Sequence, residues 1–209
     1  MTHTGYELFE ALDVEIVDAV ATVKLLSNER IARLRDGGAH PEIHFDLGRA
    51  LNRLREEHAV RVVVITGSDD GVPWHMAAPP HNRRPIVEPD PVTLPDWLWS
   101  AFMGVRMTHQ ALAELEKPVI AKVNGDAIGF SRSIMFGCDL IVAREDAVVA
   151  DVHMDLQEVF GFDTVPGDGG AALVPLHMFP AKAMEYLLLA KPYTAVELER
   201  MGAINYVSG

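Results

Sequence analysis

Two residues of this 209-residue chain, His153 after an expected strand and Asp168 in the next glycine-rich turn, could form a couple that exchanges protons. An imidazole titrates close to neutrality, and a carboxylate beside it raises its pKa and fixes its tautomer. Such a couple can serve as general acid and base or activate water. Asp168 lies in the run VPGDGG at Val165–Gly170, just ahead of an apolar stretch that reads as a helix, so it also suits a helix N-cap. His153 equally suits a loop histidine with satisfied hydrogen bonds. Ser133 carries a hydroxyl, which unassisted is too weakly acidic to exchange protons alone near neutral pH. His75, in GVPWHMAA, has a catalytic reading beside a binding-loop or packing one. Cys138 is the single cysteine and reads as a small buried hydrophobe rather than a nucleophile. No intrachain disulfide is possible, which fits a cytoplasmic protein.

A second kind of chemistry needs backbone donors rather than side chains. In Lys117–Leu140, KPVIAKVNGDAIGFSRSIMFGCDL, the β-branched run Pro118–Val123 predicts a buried strand. Asn124 and Gly125 break it, a small cluster follows at Gly129–Ser131, and Ser133–Cys138 turns apolar, so the pattern predicts strand, turn and helix start. A helix N-terminus offers unpaired N–H groups and partial positive charge, which can hold an oxygen that becomes anionic during a reaction. An ordinary strand-to-helix joint would leave the same trace.

The elements that must position these groups alternate between strand and helix. Val14–Val17 and Val20–Leu25 predict a hairpin turning at Asp18 and Ala19. Leu26–Gly38, with Arg30, Arg33 and Arg35, suits a short basic helix. Pro41–Glu57 places Ile43, Leu47, Leu51 and Leu54 at helical spacing, and Arg61–Thr66 is a strand covered on both faces. Pro79–Pro95 holds six prolines and predicts a long surface loop. Trp97–Glu116 returns to helical spacing. Strands are expected at Leu140–Ala143 and Ala147–Ala150, and helices at Ala171–Met178 and Pro180–Ala190. A further helix follows the capping pair Thr194 and Glu197, and AINYV forms a last strand. Hydrophobic content of 49% with 23% charge argues for one globular domain over 1–209. The net charge of −12 argues against nucleic acid or an anionic membrane as a partner. No apolar run reaches the length of a membrane span, and MTHTGYELFEALDVE lacks the pattern of a secretory leader.

KPVIA, VNG, Ala127, Gly129, Cys138 and Asp139 together resemble the signature of the crotonase (enoyl-CoA hydratase/isomerase) superfamily. RVVVITG, the PGDGG turn and the segments after it are similar to the same family. The resemblance implies an α/β fold, a spiral of ββα turns, here lacking most of the C-terminal helical region because the chain ends soon after the last strand. It implies an oxyanion hole for an acyl-CoA thioester built from the backbone N–H of Phe130, where the family usually has glycine, and of Ala77. His75, Met76 and Gly129 would then line the substrate. No cofactor is implied beyond coenzyme A as part of the substrate, and no metal. A homo-oligomer, trimer or hexamer, is expected. The family's two glutamates fall at Ser133 and His153, so the usual glutamate pair is missing. His153 with Asp168 also resembles the 6-oxocamphor hydrolase-like branch, which cleaves β-diketones with water. A non-catalytic binding protein on a crotonase fold is the remaining alternative.

Overall fold

A computed structural model describes residues 5–26, 43–68, 94–151, 153–155 and 165–209. The expected basic helix after Leu26, the positions His75, Met76 and Ala77, and the proline-rich stretch up to residue 93 lie outside them. Strands β1 (Leu12–Val17) and β2 (Val20–Leu25) form the expected antiparallel hairpin. Its two turn residues, Asp18 and Ala19, take left-handed backbone angles (φ 47° and 66°), the geometry that matches the twist of a two-residue hairpin. Alanine tolerates this because its carbonyl is fixed by the N–H groups of Arg61 and Val62, at 2.8 and 3.3 Å.

β3 (Val62–Gly67), β4 (Val119–Val123), β6 (Leu140–Arg144) and β9 (Tyr206–Ser208) continue the sheet in the order β1-β2-β3-β4-β6-β9. All pairings after the hairpin are parallel. Helices α1 (Ile43–Glu56) and α2 (Leu94–Ala113) supply the connections into β3 and β4. In α1 the predicted stripe is the buried one, with Leu47, Leu51 and Leu54 wholly inside the core. α1 and α2 meet closely: a Cβ on Gly48 would stand 2.7 Å from Met107, and one on Gly104 would stand 2.5 Å from His44. Thr108 Oγ1 donates to the His44 carbonyl at 2.7 Å across the same contact.

A second, three-stranded sheet joins β5 (Ala127–Ile128), β7 (Val148–Ala150) and β8 (Tyr193–Thr194). β5 and β7 run parallel with Ile128 opposite Ala150, and the Gly129 N–H donates to the Ala150 carbonyl at 3.3 Å. This register sets the start of helix α3 (Phe130–Phe136) beside the residues that follow β7. Helices α4 (Gly170–His177), α5 (Pro180–Leu189) and α6 (Ala195–Arg200) complete the fold. The Thr194–Glu197 capping box forms as expected.

Some elements differ from expectation. α2 begins at Leu94, so the last two residues of the proline-rich stretch belong to a helix; a proline in the first turn forfeits no hydrogen bond. β5 is too short for any hydrophobic period to reveal. β9 begins at Tyr206, because Asn205 is spent on Ile141, its side-chain oxygen accepting the Ile141 N–H at 2.8 Å and its own N–H donating to the Ile141 carbonyl.

Several signature residues hold the sheet together. Lys117 Nζ donates to the carbonyls of Leu54 and Glu57 (2.7 Å to the latter), closing the C-terminal end of α1. Asp139 accepts the Val119 N–H at 2.8 Å. Asn124 joins the ends of β3 and β4, accepting the Gly67 N–H at 3.1 Å and donating to the Ser68 carbonyl. Cys138 is buried and its thiol is pushed up by burial, so it packs as a hydrophobe. Among the described residues no helix is long and apolar enough to cross a membrane.

Candidate active site

The end of β7, the start of α3 and the turn before α4 converge on one buried charge cluster. Arg132, in the middle of α3, is 0% exposed. A lone guanidinium in apolar surroundings is prohibitively costly, so the fold must bring it anions. It does so twice. Arg132 Nη2 donates to Asp151 Oδ2 and, at 3.3 Å, to Asp168 Oδ1. Asp151 follows β7 directly and is buried; Asp168 sits in the VPGDGG turn at 9% exposure.

His153, in a short 3-10 turn at His153–Asp155, closes the cluster. Its backbone N–H and its ring Nδ1 both lie 2.8 Å from Asp151 Oδ1. An ionised carboxylate only accepts, so Nδ1 carries the proton. Nε2 then faces Asp168 Oδ2 at 3.7 Å. A bare lone pair there would oppose a carboxylate, whereas a second ring proton is attracted to it. Burial alone would lower the pKa of His153, but the Asp151 hydrogen bond and the charges of Asp168 and Asp151 outweigh it and raise it above its ordinary value. Burial likewise works against Asp151, yet the His153 hydrogen bond and the Arg132 charge hold its carboxyl below its ordinary value. One possible ligand atom each of Asp151, His153 and Asp168 lies within 4.8 Å of the others, a spacing suited to a cation, and the two carboxylates pair with the chain's own Arg132.

The two glycines after Asp168 make this approach possible. A Cβ on Gly170 would stand 2.1 Å from Arg132 Nη1. Gly169 caps α4 with φ 101°, and a Cβ there would stand 2.4 Å from His109 Nε2. The helix cap is therefore Gly169, with no side-chain cap, and Asp168 is committed to Arg132 instead.

The structure thus brings His153 and Asp168 together and adds Arg132 and Asp151, which the sequence reading passed over. A lone arginine inside the apolar run SIMF and its flank, and an acid two residues before a histidine, were the available signals. Ser133 stands next to Arg132 on α3, wholly buried, and its Oγ has no hydrogen-bond partner among the described residues, so nothing joins it to the cluster. Gly129 is the N-cap of α3 with φ 66°. The Phe130 side chain is buried, with its ring centroid 4.4 Å from that of His44 and 5.9 Å from that of His109. His109 therefore connects Phe130 to the glycine turn beside Asp168.

The alternation of strands and helices around two sheets defines an α/β protein. The family model described as Enoyl-CoA hydratase/isomerase matches residues 102–209, and the chain belongs to that family. It is 32% identical over 162 residues to a Dictyostelium discoideum protein named "Probable enoyl-CoA hydratase, mitochondrial", spanning 78% of this chain and 52% of that protein. It is 28% identical over 166 residues to the carnitinyl-CoA dehydratase of Salmonella paratyphi B, over 78% and 57% of the two lengths. The chain thus spans about half the length of these relatives. An enoyl-CoA hydratase structure from Bacillus anthracis shares the fold, with TM-score 0.73 at 23% identity, covering 95% of this chain and 70% of that one.

Proposed function

We propose that this chain binds an acyl-CoA thioester and moves a proton at its α-carbon, holding the thioester oxygen with the backbone N–H groups of Phe130 and Ala77. A thioester α-proton is weakly acidic, and donors aimed at the forming oxyanion lower the energy of the enolate. The observation that carries the reading is the imidazole of His153 fixed between two carboxylates, Asp151 at 2.8 Å and Asp168 at 3.7 Å. In place of a glutamate pair, the proton passes through His153 Nε2 while Asp151 fixes the ring tautomer. Support for the CoA moiety comes from relatives named for enoyl-CoA and carnitinyl-CoA. Gly129, His75 and Met76 line the substrate in this reading, which calls for no cofactor other than the CoA carried by the substrate. Calorimetry with CoA and butyryl-CoA tests it: micromolar to sub-millimolar binding is expected, and no binding at millimolar ligand overturns it. Hydration of crotonyl-CoA is expected to be slow, since no glutamate pair holds the water.

The same His–Asp geometry also favours a second reading, a hydrolase that uses His153 to direct water at a β-diketone. Cleavage of a cyclic β-diketone by a protein that ignores CoA esters would select it. The burial of the Phe130 ring between His44 and His109 favours a third, a binding protein without turnover. Ligand binding with no α-proton exchange and no cleavage would select that one.

A further inference from the structure

The charge of His153 is controlled by a residue that never touches its ring through a hydrogen bond. We infer that Arg132 is a positioning residue which clamps Asp151 and Asp168 on either side of His153 and keeps the imidazole able to give up its proton. The inference deepens the acid–base reading of His153 and rests on it for its effect on turnover; the titration that tests it does not.

The geometry is that of a closed ring. Nη2 of Arg132 reaches one oxygen of each carboxylate, Asp151 Oδ2 and Asp168 Oδ1. The other oxygen of each faces the imidazole, Asp151 Oδ1 at Nδ1 and Asp168 Oδ2 at Nε2. One guanidinium nitrogen therefore sets where both carboxylates present themselves to His153. The other terminal nitrogen, Nη1, lies where a side chain at residue 170 would stand, 2.1 Å from the Cβ that glycine lacks, so Gly170 leaves the guanidinium its place.

The charge count gives the consequence. Among the described residues, Asp151 and Asp168 bring two negative charges to His153 and Arg132 brings one positive. Without it, the two carboxylates would favour the imidazolium further, and the share of neutral imidazole able to accept a proton would fall. Among the described residues, His109 stands at the glycine turn beside Asp168, and Tyr186 of α5 is a buried phenol whose pKa burial pushes up, so it stays neutral. Lys182 and Glu185 on the same helix pair with each other at 2.7 Å and are spent at the surface.

The test is the imidazole titration of His153, followed by NMR in the full chain without substrate. Arg132→Met is expected to raise its midpoint by about one pH unit, and Arg132→Lys to restore most of that shift. Because Arg132→Met leaves two buried carboxylates without their cation, the same comparison is made between Asp168→Asn and the Arg132→Met/Asp168→Asn double variant, in which the buried charge is balanced. There too the loss of Arg132 is expected to raise the midpoint by about one unit. A purely structural arginine would change stability and leave the midpoint in place. Equal midpoints in either pair overturn the inference. A shifted midpoint with no CoA binding would instead retain the clamp and discard the acyl-CoA reading.

Discussion

At the scale of the residue, His153 is defined by what holds its two nitrogens. Replacing it with alanine removes the group proposed to carry the proton and leaves the backbone donors intact. Turnover on the true substrate is expected to fall by roughly 10²–10⁴-fold, with ligand affinity much less changed. Near-normal turnover in steady-state assays of His153→Ala and Asp168→Asn would shift the role elsewhere, with His75 next in line. The raised pKa of His153 also has a thermodynamic side. A group with a raised folded-state pKa stabilises the fold fully below its ordinary value, near 6.5, and loses that contribution as pH rises through the raised value. Asp151 acts oppositely: its lowered pKa stabilises above the ordinary carboxylate range, and that contribution is lost in acid. Thermal unfolding across pH is therefore expected to show a decline above neutrality that His153→Gln abolishes, and an acid limb that the substitution reduces but retains. An unchanged alkaline limb in His153→Gln would contradict the assignment.

At the scale of the element, the cluster depends on two short strands and a glycine turn. β5 and β7 are two and three residues long, yet their register delivers Gly129 and Asp151 to the same place. That is why the sequence spoke for His153 and Asp168 and only faintly for their partners. Residue type marked the histidine and the aspartate, while Arg132 and Asp151 acquire meaning only through a pairing with no period to read. The hairpin, the amphipathic α1 stripe and the capping box were legible because each rests on local spacing or local hydrogen bonds. At Gly169, φ 101° and the nearby His109 ring leave no room for a side chain. Gly169→Ala is expected to cost about 1–3 kcal/mol from backbone strain, before any clash with His109, in denaturant melts. It should also lower turnover, because the turn carries Asp168. A melt within error of the parent would show that the turn is not held as described.

At the scale of the whole molecule, α4 and α5 carry a run of exposed apolar side chains: Leu176, Phe179 and Leu189 are 77%, 78% and 70% exposed. Exposed apolar side chains that lie together as one patch mark an interaction surface. Sedimentation at micromolar concentration is expected to give a homo-oligomer, and charged substitutions at Leu176 and Phe179 should dissociate it. A clean monomer of the parent chain would refute this.

The charge cluster, the glycine-led start of α3 and the family membership motivate one proposal, that His153 moves a proton at the α-carbon of an acyl-CoA. The most direct measurement is exchange of the α-protons of butyryl-CoA into D₂O, followed by NMR. The chain is expected to accelerate exchange, and His153→Ala to slow it by roughly 10²–10⁴-fold while still binding the thioester. Exchange at the uncatalysed rate with the thioester bound, or equal exchange by chain and variant, would contradict the claim.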